Sequence, residues 1–271
     1  MSWTAYKVVL RLLTPLHIGA GALGNVQRTR PYVHGKALWG ALTARLTRDN
    51  PSFGGDYVAV GRRVREELAF SYFYPAVDAQ VHLWPWDDPD AFGWSYVGSY
   101  TSTALNYARN AAEEGSLHET EFIAPTTRDG HAVYLVGYIF EQTDCCLPWR
   151  EALSRLQLGG ERTYGWGRAA VHSVAPSTED LFGRYSLALD GARPGLRLDE
   201  GARLMAHTLA CGPQAVAACG RLVPLVGRET RNAAAHGRHL STATICWEPG
   251  CVIDARTDVV IGDYGVWEAA S

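Results

Sequence analysis

The chain has 271 residues, of which 47% are hydrophobic, 20% charged and 11% aromatic. That balance excludes a disordered or collagen-like chain and leaves room for one large domain or two small ones. It has no apolar run of the ~18 residues that a membrane-spanning helix needs, its Met1-Ser2-Trp3-Thr4 start lacks a signal peptide's apolar stretch, and its net charge of −3 excludes a uniformly basic nucleic-acid binder.

In chain order, residues 6–13 alternate as a strand with Tyr6, Val8, Leu10 and Leu12 on one face. Pro15 ends it, and a first glycine-rich loop runs from His17 to Gly24. Gly35 to Arg48 reads as a helix with Leu38, Ala41, Leu42 and Leu46 as its apolar stripe. Lys36, Thr43 and Thr47 fall on the opposite face, and Arg45 falls beside the stripe. Residues 50–116 are rich in aromatics and proline and too long for a plain loop, so they are expected to hold small elements of their own. Ser102 to Glu114 reads as one of these, a helix stopped by Gly115. Residues 118–124 and 131–140 read as strands joined through the hairpin chemistry of Arg128-Asp129-Gly130. Pro148 opens a helix to Gln157 that carries Leu153 and Leu156, with Leu147 just before it. Gly159 to Gly167 is a second glycine-rich loop, and Ala169 to Val174 is a closing strand.

This βαββαβ order predicts an α+β fold of the ferredoxin-like type over residues 1–175, with an insertion at about 50–116. Residues 175–180 read as a linker, and 176–271 as a second, smaller α+β unit. The absence of a leader and of a membrane segment places the protein in the cytoplasm by default.

The charge is unevenly spread. Residues 1–65 carry ten Lys/Arg and two Asp/Glu, residues 66–158 carry four and fourteen, and residues 159–271 carry eleven and twelve. A basic N-terminal quarter suggests an anionic partner, against the plainer reading that blocks of sequence need not be surface patches. Only Lys7 and Lys36 are lysines; arginine's planar fork suits phosphate, although a GC-rich genome produces the same bias.

The second glycine-rich loop interleaves Arg162 and Arg168 with Tyr164 and Trp166. Basic groups alternating with rings suit a nucleic-acid strand, with phosphates on arginine and bases on aromatic planes; a tight structural turn is the alternative. Gly160 and Gly165 have P-loop spacing, but Trp166-Gly167 replaces the required Lys and Ser/Thr, so no P-loop is expected. His17 and His34 are candidates for acid/base work on a ribose hydroxyl or for satisfied structural histidines. Arg28, Arg30 and Lys36 around them make phosphate contact the more natural role. Glu113, Glu114, Glu119 and Glu121 near Arg109 and His118 read as a solvated or protein-facing acidic cluster rather than a metal site. The six cysteines contain no C-x-x-C pair and read as buried free thiols. No G-x-S-x-G motif is present, and no metal or cofactor is expected.

Together these segments resemble the RAMP superfamily of CRISPR-associated proteins. Leu12-Leu13-Thr14-Pro15-Leu16-His17-Ile18-Gly19-Ala20-Gly21, followed by Arg30-Pro31-Tyr32-Val33-His34-Gly35-Lys36-Ala37-Leu38, is similar to the family's first strand end, glycine loop and helix start. Leu158 to Gly167 is similar to its glycine-rich loop. The resemblance covers 6–48 and about 100–174. It implies a modified RNA-recognition-motif fold and a subunit of a CRISPR ribonucleoprotein that holds guide crRNA. The family's slicing subunits carry an aspartate between the first strand and first helix; Gly19 to Arg30 holds Asn25 and Gln27 but no acid, so no catalytic residue is expected. Thr103 to Phe122 is similar to the subunits of type III effector complexes that cap the 5′ handle, with Gly227 to Arg231 and Glu248 to Cys251 in the matching C-terminal part. The implied partners are the crRNA, backbone RAMP subunits and the large signalling subunit, with target RNA met indirectly. The implied RNA-binding set is His17, Gly19, Gly21, Arg28, Arg30, His34, Lys36, Arg45, Gly159, Gly160, Arg162, Thr163, Tyr164, Gly165, Trp166, Gly167 and Arg168. A non-slicing backbone subunit, and a metal-independent endoribonuclease using His17 or His34, remain the alternatives, as does a small-molecule enzyme that holds a phosphate cofactor in its glycine loops.

Overall fold

A computed structural model describes residues 2–78, 80–229 and 239–270. Its elements begin with β1 (Trp3–Leu12), β2 (Gly19–Leu23), β3 (Val26–Thr29), α1 (Gly35–Asp49), α2 (Tyr57–Glu67), β4 (Leu68–Phe70), β5 (Tyr74–Val77) and β6 (Gln80–Val81). They continue with α3 (Pro89–Tyr96), β7 (Val97–Ser102), β8 (Leu105–Asn106), β9 (Ala111–Ala112), β10 (His118–Ile123), β11 (Tyr134–Gln142), α4 (Trp149–Leu153) and β12 (Ala169–Pro176).

The central antiparallel sheet runs β12-β1-β11-β5-β6, with β4 also pairing β11. Period-2 alternation buries both of its faces. Val8, Leu10, Leu12, Leu135 and Ile139 meet α1 and α4 on one side, through Leu38, Leu42, Leu46, Trp149 and Leu153. Trp3, Ala5, Tyr138 and Phe140 meet the C-terminal part of the chain on the other, through Leu196, Leu198, Val259 and Ile261.

The expected strand at 118–124 is present as β10, but it leaves the central sheet and joins a second one, ordered β2-β3-β10-β7. Its expected place beside β11 is taken by β4 and β5. The reason is burial: Leu68, Ala69, Phe70, Phe73 and Tyr74 are all buried, whereas β2 is exposed along its whole length. The turn at Arg128-Asp129-Gly130 forms, with the Gly130 N–H donating to the Thr127 carbonyl at 3.0 Å and Gly130 at φ +88°, and links the two sheets rather than one hairpin. The helix expected over Ser102 to Glu114 is replaced by the end of β7 and the β8–β9 ribbon. No apolar face of that segment is buried, and propensity alone does not hold a helix this short. Thr43 and Thr47, expected on the open face of α1, are buried because α2 covers that face. The predicted helix at Pro148 shortens to one turn and a half, yet Leu147, Leu153 and Leu156 still enter the core.

Of the residues read as a linker, 175–180, Ala175 and Pro176 instead end β12, and 177–180 carry no regular structure. Beyond them, where a second, smaller α+β unit was expected, the described residues form strands and short turns but no α-helix. Their seven-stranded sheet runs Leu187–Ala188, Gly195–Leu198, Thr257–Ile261, Trp267–Ala269, Thr208–Leu209, Thr244–Trp247 and Leu222–Leu225. Among the described residues no helix is long and apolar enough to cross a membrane.

The two units meet closely at Gly35, where an added Cβ would overlap the Tyr264 carbonyl group. Gly40, in the same helix, faces open space. Gly35→Ala is therefore expected to lower stability by about 1–3 kcal/mol through overpacking, while Gly40→Ala raises it by about 0.5–1 kcal/mol through helix propensity; denaturant unfolding of the two variants reads the opposite signs.

Candidate nucleic-acid interface

The two glycine-rich segments, about 140 residues apart in the sequence, dock onto each other. The Leu13 N–H donates to the Arg168 carbonyl at 2.9 Å, and the Gly167 N–H to the Pro15 carbonyl at 2.7 Å. The Thr14 hydroxyl donates to the Gly165 carbonyl at 3.0 Å and accepts from the Arg168 N–H at 2.9 Å. The Gly160 N–H donates to the His17 carbonyl at 2.9 Å. Gly159 and Gly167 both have positive φ, and a Cβ on either would overlap backbone, the His17 carbonyl for Gly159 and the Leu158 carbonyl for Gly167. Glycine is thus required at these two positions by conformation and by close approach together.

The loop's crest is tied back from below. The Gln157 side-chain amide donates to the carbonyls of Arg162 and Trp166, at 2.8 and 2.9 Å. Trp166 lies edge-on against Phe122 at 5.1 Å and Tyr100 at 6.3 Å, which seats the loop on one face of the β2-β3-β10-β7 sheet. Trp166 is therefore an anchor. Arg162, Thr163, Tyr164 and Arg168 are exposed on the crest, Tyr164 at 78%. Among the described residues, the side chains of Arg162 and Arg168 form no ion pair.

His17 is half-buried between Gly19 and Gly160, with Nδ1 at 2.8 Å from the Glu121 carbonyl. That contact fixes the Nδ1–H tautomer and leaves Nε2 as the acceptor. Gly19 and Gly21 are not in a loop but in β2, the outer strand of an exposed hairpin with β3.

The remaining basic residues of the expected set are engaged within the chain. Arg28 pairs with Glu121 at 2.8 Å, Arg30 donates to the Tyr32 hydroxyl at 3.3 Å, and Lys36 lies 5.1 Å over the Tyr264 ring. Arg45 pairs with Asp49 in its own helix, and Asp49 also takes Arg155 at 3.1 Å. The guanidinium's hydrogen bond holds the Asp49 carboxyl below its ordinary pKa. Arg63 and Arg65 likewise pair with Glu67 and Asp263, so much of the basic quarter seen in the sequence is engaged within the chain, while Arg11, Arg48 and Arg62 stay exposed. On the second loop, by contrast, Arg162 and Arg168 are exposed and, among the described residues, outside any ion pair.

His34 is the N-cap of α1, with its Nδ1 accepting from the Ala37 N–H at 3.2 Å. Burial, aided by Arg30 and Lys36, pushes its pKa down to about 3. The buried His207, whose Nδ1 meets the Tyr72 hydroxyl at 2.7 Å, is pushed to about 2 for the same first reason. An unfolded imidazole titrates near 6.5, so the unfolded chain binds more protons than the native one below that value. Stability is full above about pH 6.5 and is lost as pH falls toward 3. Thermal melts across this window are expected to fall steadily, and His34→Asn, which keeps a capping acceptor, flattens that fall.

The sequence model of the RAMP superfamily matches residues 9–170, from within β1 to the start of β12. The chain belongs to the RAMP superfamily. The matched span contains both docked segments. No curated protein matches the chain in sequence. Among solved structures, a chain of the type III-B Cmr-beta complex, determined by cryo-EM bound to cognate target RNA, is similar at 11% identity and a TM-score of 0.41. The likeness covers 62% of this chain and 96% of that one.

Several residues that build this RAMP surface were not singled out in the sequence. Thr14 ties the two segments together and Gln157 ties the second loop to itself, both through side-chain bonds to backbone; a polar residue two or three positions before each glycine-rich segment was the available signal. Glu121 was read only as part of an acidic cluster, yet it fixes Arg28, and its carbonyl orients His17. Glu113 and Glu114 stay exposed, and among the described residues no group of His, Cys, Asp and Glu stands close enough to hold a metal ion. Of the cysteines, Cys246 and Cys251 are buried as expected and Cys145 half so, but Cys146, Cys211 and Cys219 are exposed. Burial pushes the Cys145 thiol up to about 12 and the Cys246 thiol to about 11, which keeps both protonated and unreactive. Thr230 and Arg231 of the C-terminal resemblance lie outside the described residues.

Proposed function

We propose that this chain is a non-catalytic RNA-binding subunit of a type III CRISPR effector, with a ferredoxin-like domain that grips the 5′ handle of the guide crRNA and is flanked by other Cas subunits. The central strand order supports the ferredoxin-like reading, with β1 and the β4–β5 pair on either side of β11 and β12 beyond β1. The observation that carries the RNA reading is the docked pair of glycine-rich segments. It presents Arg162, Arg168 and the exposed Tyr164 on a rigid crest beside His17. Arginines take phosphates there, Tyr164 stacks a base, and the close-lying glycine backbone admits the strand. The large signalling subunit and backbone RAMP subunits belong to the proposal through the resemblance of 103–122.

One observation favours a second reading. The fixed tautomer of His17 aims a free Nε2 acceptor toward the same surface, the geometry of a general base on a ribose hydroxyl. His34 lacks this freedom, since its Nδ1 caps α1. Incubation of the protein with repeat RNA separates the readings. Salt-dependent retention of intact RNA, unchanged in cleavage between wild type and His17→Ala, is the expected result; cleavage lost in His17→Ala would assign a nuclease instead.

A further inference from the structure

The second face of the β2-β3-β10-β7 sheet, opposite Trp166, borders a cleft of about 630 Å³. Strand alternation sorts the side chains: Thr120 and Phe122 turn toward the glycine-rich loop, Glu119 and Glu121 toward the cleft. Trp86, Pro85, Pro89 and the edge of the buried Phe92 add apolar lining to the cleft. Three arginines line it, Arg28, Arg128 and Arg221.

The charges inside are not equivalent. Glu121 is neutralised by Arg28 and also accepts from the Thr29 N–H at 3.1 Å. Arg128 is held over the Trp94 ring at 4.2 Å, and Arg221 makes only a loose surface pair with Glu248 at 3.3 Å. Glu119 is half-buried and, among the described residues, its carboxylate has no ion pair and no hydrogen-bond donor. Its carboxylate, which lines the cleft, is therefore open to a ligand, and its two oxygens match two adjacent N–H donors.

We propose that this cleft takes one guanine nucleotide extruded from the bound RNA, with the guanine N1–H and N2–H donating to Glu119, the base lying along Trp86 and Phe92, and its phosphate met by Arg221. Guanine is the base whose pairing edge offers two neighbouring donors; adenine and cytosine each offer an amino group beside an acceptor, which would face the carboxylate with like charge. The proposal rests on the RNA-binding reading above and adds a base preference to it.

The test uses the full chain with repeat RNA in which guanosines are replaced one at a time by inosine, which keeps N1–H and lacks the N2 amino group. One position is expected to lose about tenfold in affinity, and Glu119→Gln is expected to erase that difference while leaving the melting temperature unchanged. Free guanosine monophosphate is the second probe: competition by it, but not by adenosine monophosphate, supports the same site, and the RNA arm then says whether the strand supplies the base. RNA bound with equal affinity at every inosine position, in wild type and Glu119→Gln alike, overturns this proposal while leaving the RNA-binding reading intact. Absence of all RNA retention overturns that reading, and this proposal with it.

Discussion

Gly167→Ala is expected to abolish RNA retention and to lower the melting temperature by about 10 °C, whereas Gly165→Ala lowers it by only about 2–5 °C. Both glycines have positive φ, so both changes carry the left-handed penalty of about 1–2 kcal/mol. They differ in what surrounds them. A Cβ at Gly165 meets nothing within 4 Å, while one at Gly167 overlaps the Leu158 carbonyl in a bridge that also holds the Gly167 N–H to Pro15. Backbone pinned from both sides cannot yield as a side chain can, and the total rises to about 3–5 kcal/mol. Gly159→Ala belongs with Gly167→Ala, since its Cβ overlaps the His17 carbonyl. Equal melting temperatures for the Gly165 and Gly167 variants would show that the docking of the two segments does not hold the loop.

The second large effect is on affinity alone. Removing Arg162, Tyr164 and Arg168 together by alanine substitution is expected to weaken RNA binding by about two to three orders of magnitude without changing stability. Each arginine that meets a phosphate of a single strand contributes about 0.7 to the slope of log affinity against log salt, so the double arginine variant flattens that slope by about 1.4. Tyr164 adds about 1–3 kcal/mol if one base stacks on it. Arg45→Ala is the matched control, because Arg45 is spent on Asp49 within α1. A loss in Arg45→Ala equal to that of the double variant would move the RNA to the helical face and away from the loop.

Much of the site was legible because its glycines serve conformation, and conformation leaves a mark in sequence. Four glycines between Gly159 and Gly167 signalled a backbone in close approach, and Gly159 and Gly167 are in fact wedged against backbone. The alternation of β1 over Val8, Leu10 and Leu12 and the stripe of α1 were equally clear, since these side chains enter one core together. The strands β4 and β5 were hidden for the opposite reason. Buried on both faces, they have no polar alternation to announce them, and Pro75 lies within β5. The segment 102–114 misled through local composition: its alanines and glutamates favour a helix, but nothing packs against it. Charge was the least legible quantity. The basic quarter was real as a count, yet its arginines find Glu121, Asp49, Glu67 and Asp263, partners up to about 200 residues away that no local window reveals.

The central claim is that the segment after β1 and the second glycine-rich loop form one RNA-gripping surface. Ultraviolet crosslinking of bound repeat RNA, followed by mapping of the crosslinked peptides, tests it most directly. The account predicts crosslinks at Tyr164, with further crosslinks in the His17 peptide, both lost in Gly167→Ala. Retained RNA whose crosslinks avoid both peptides would contradict it.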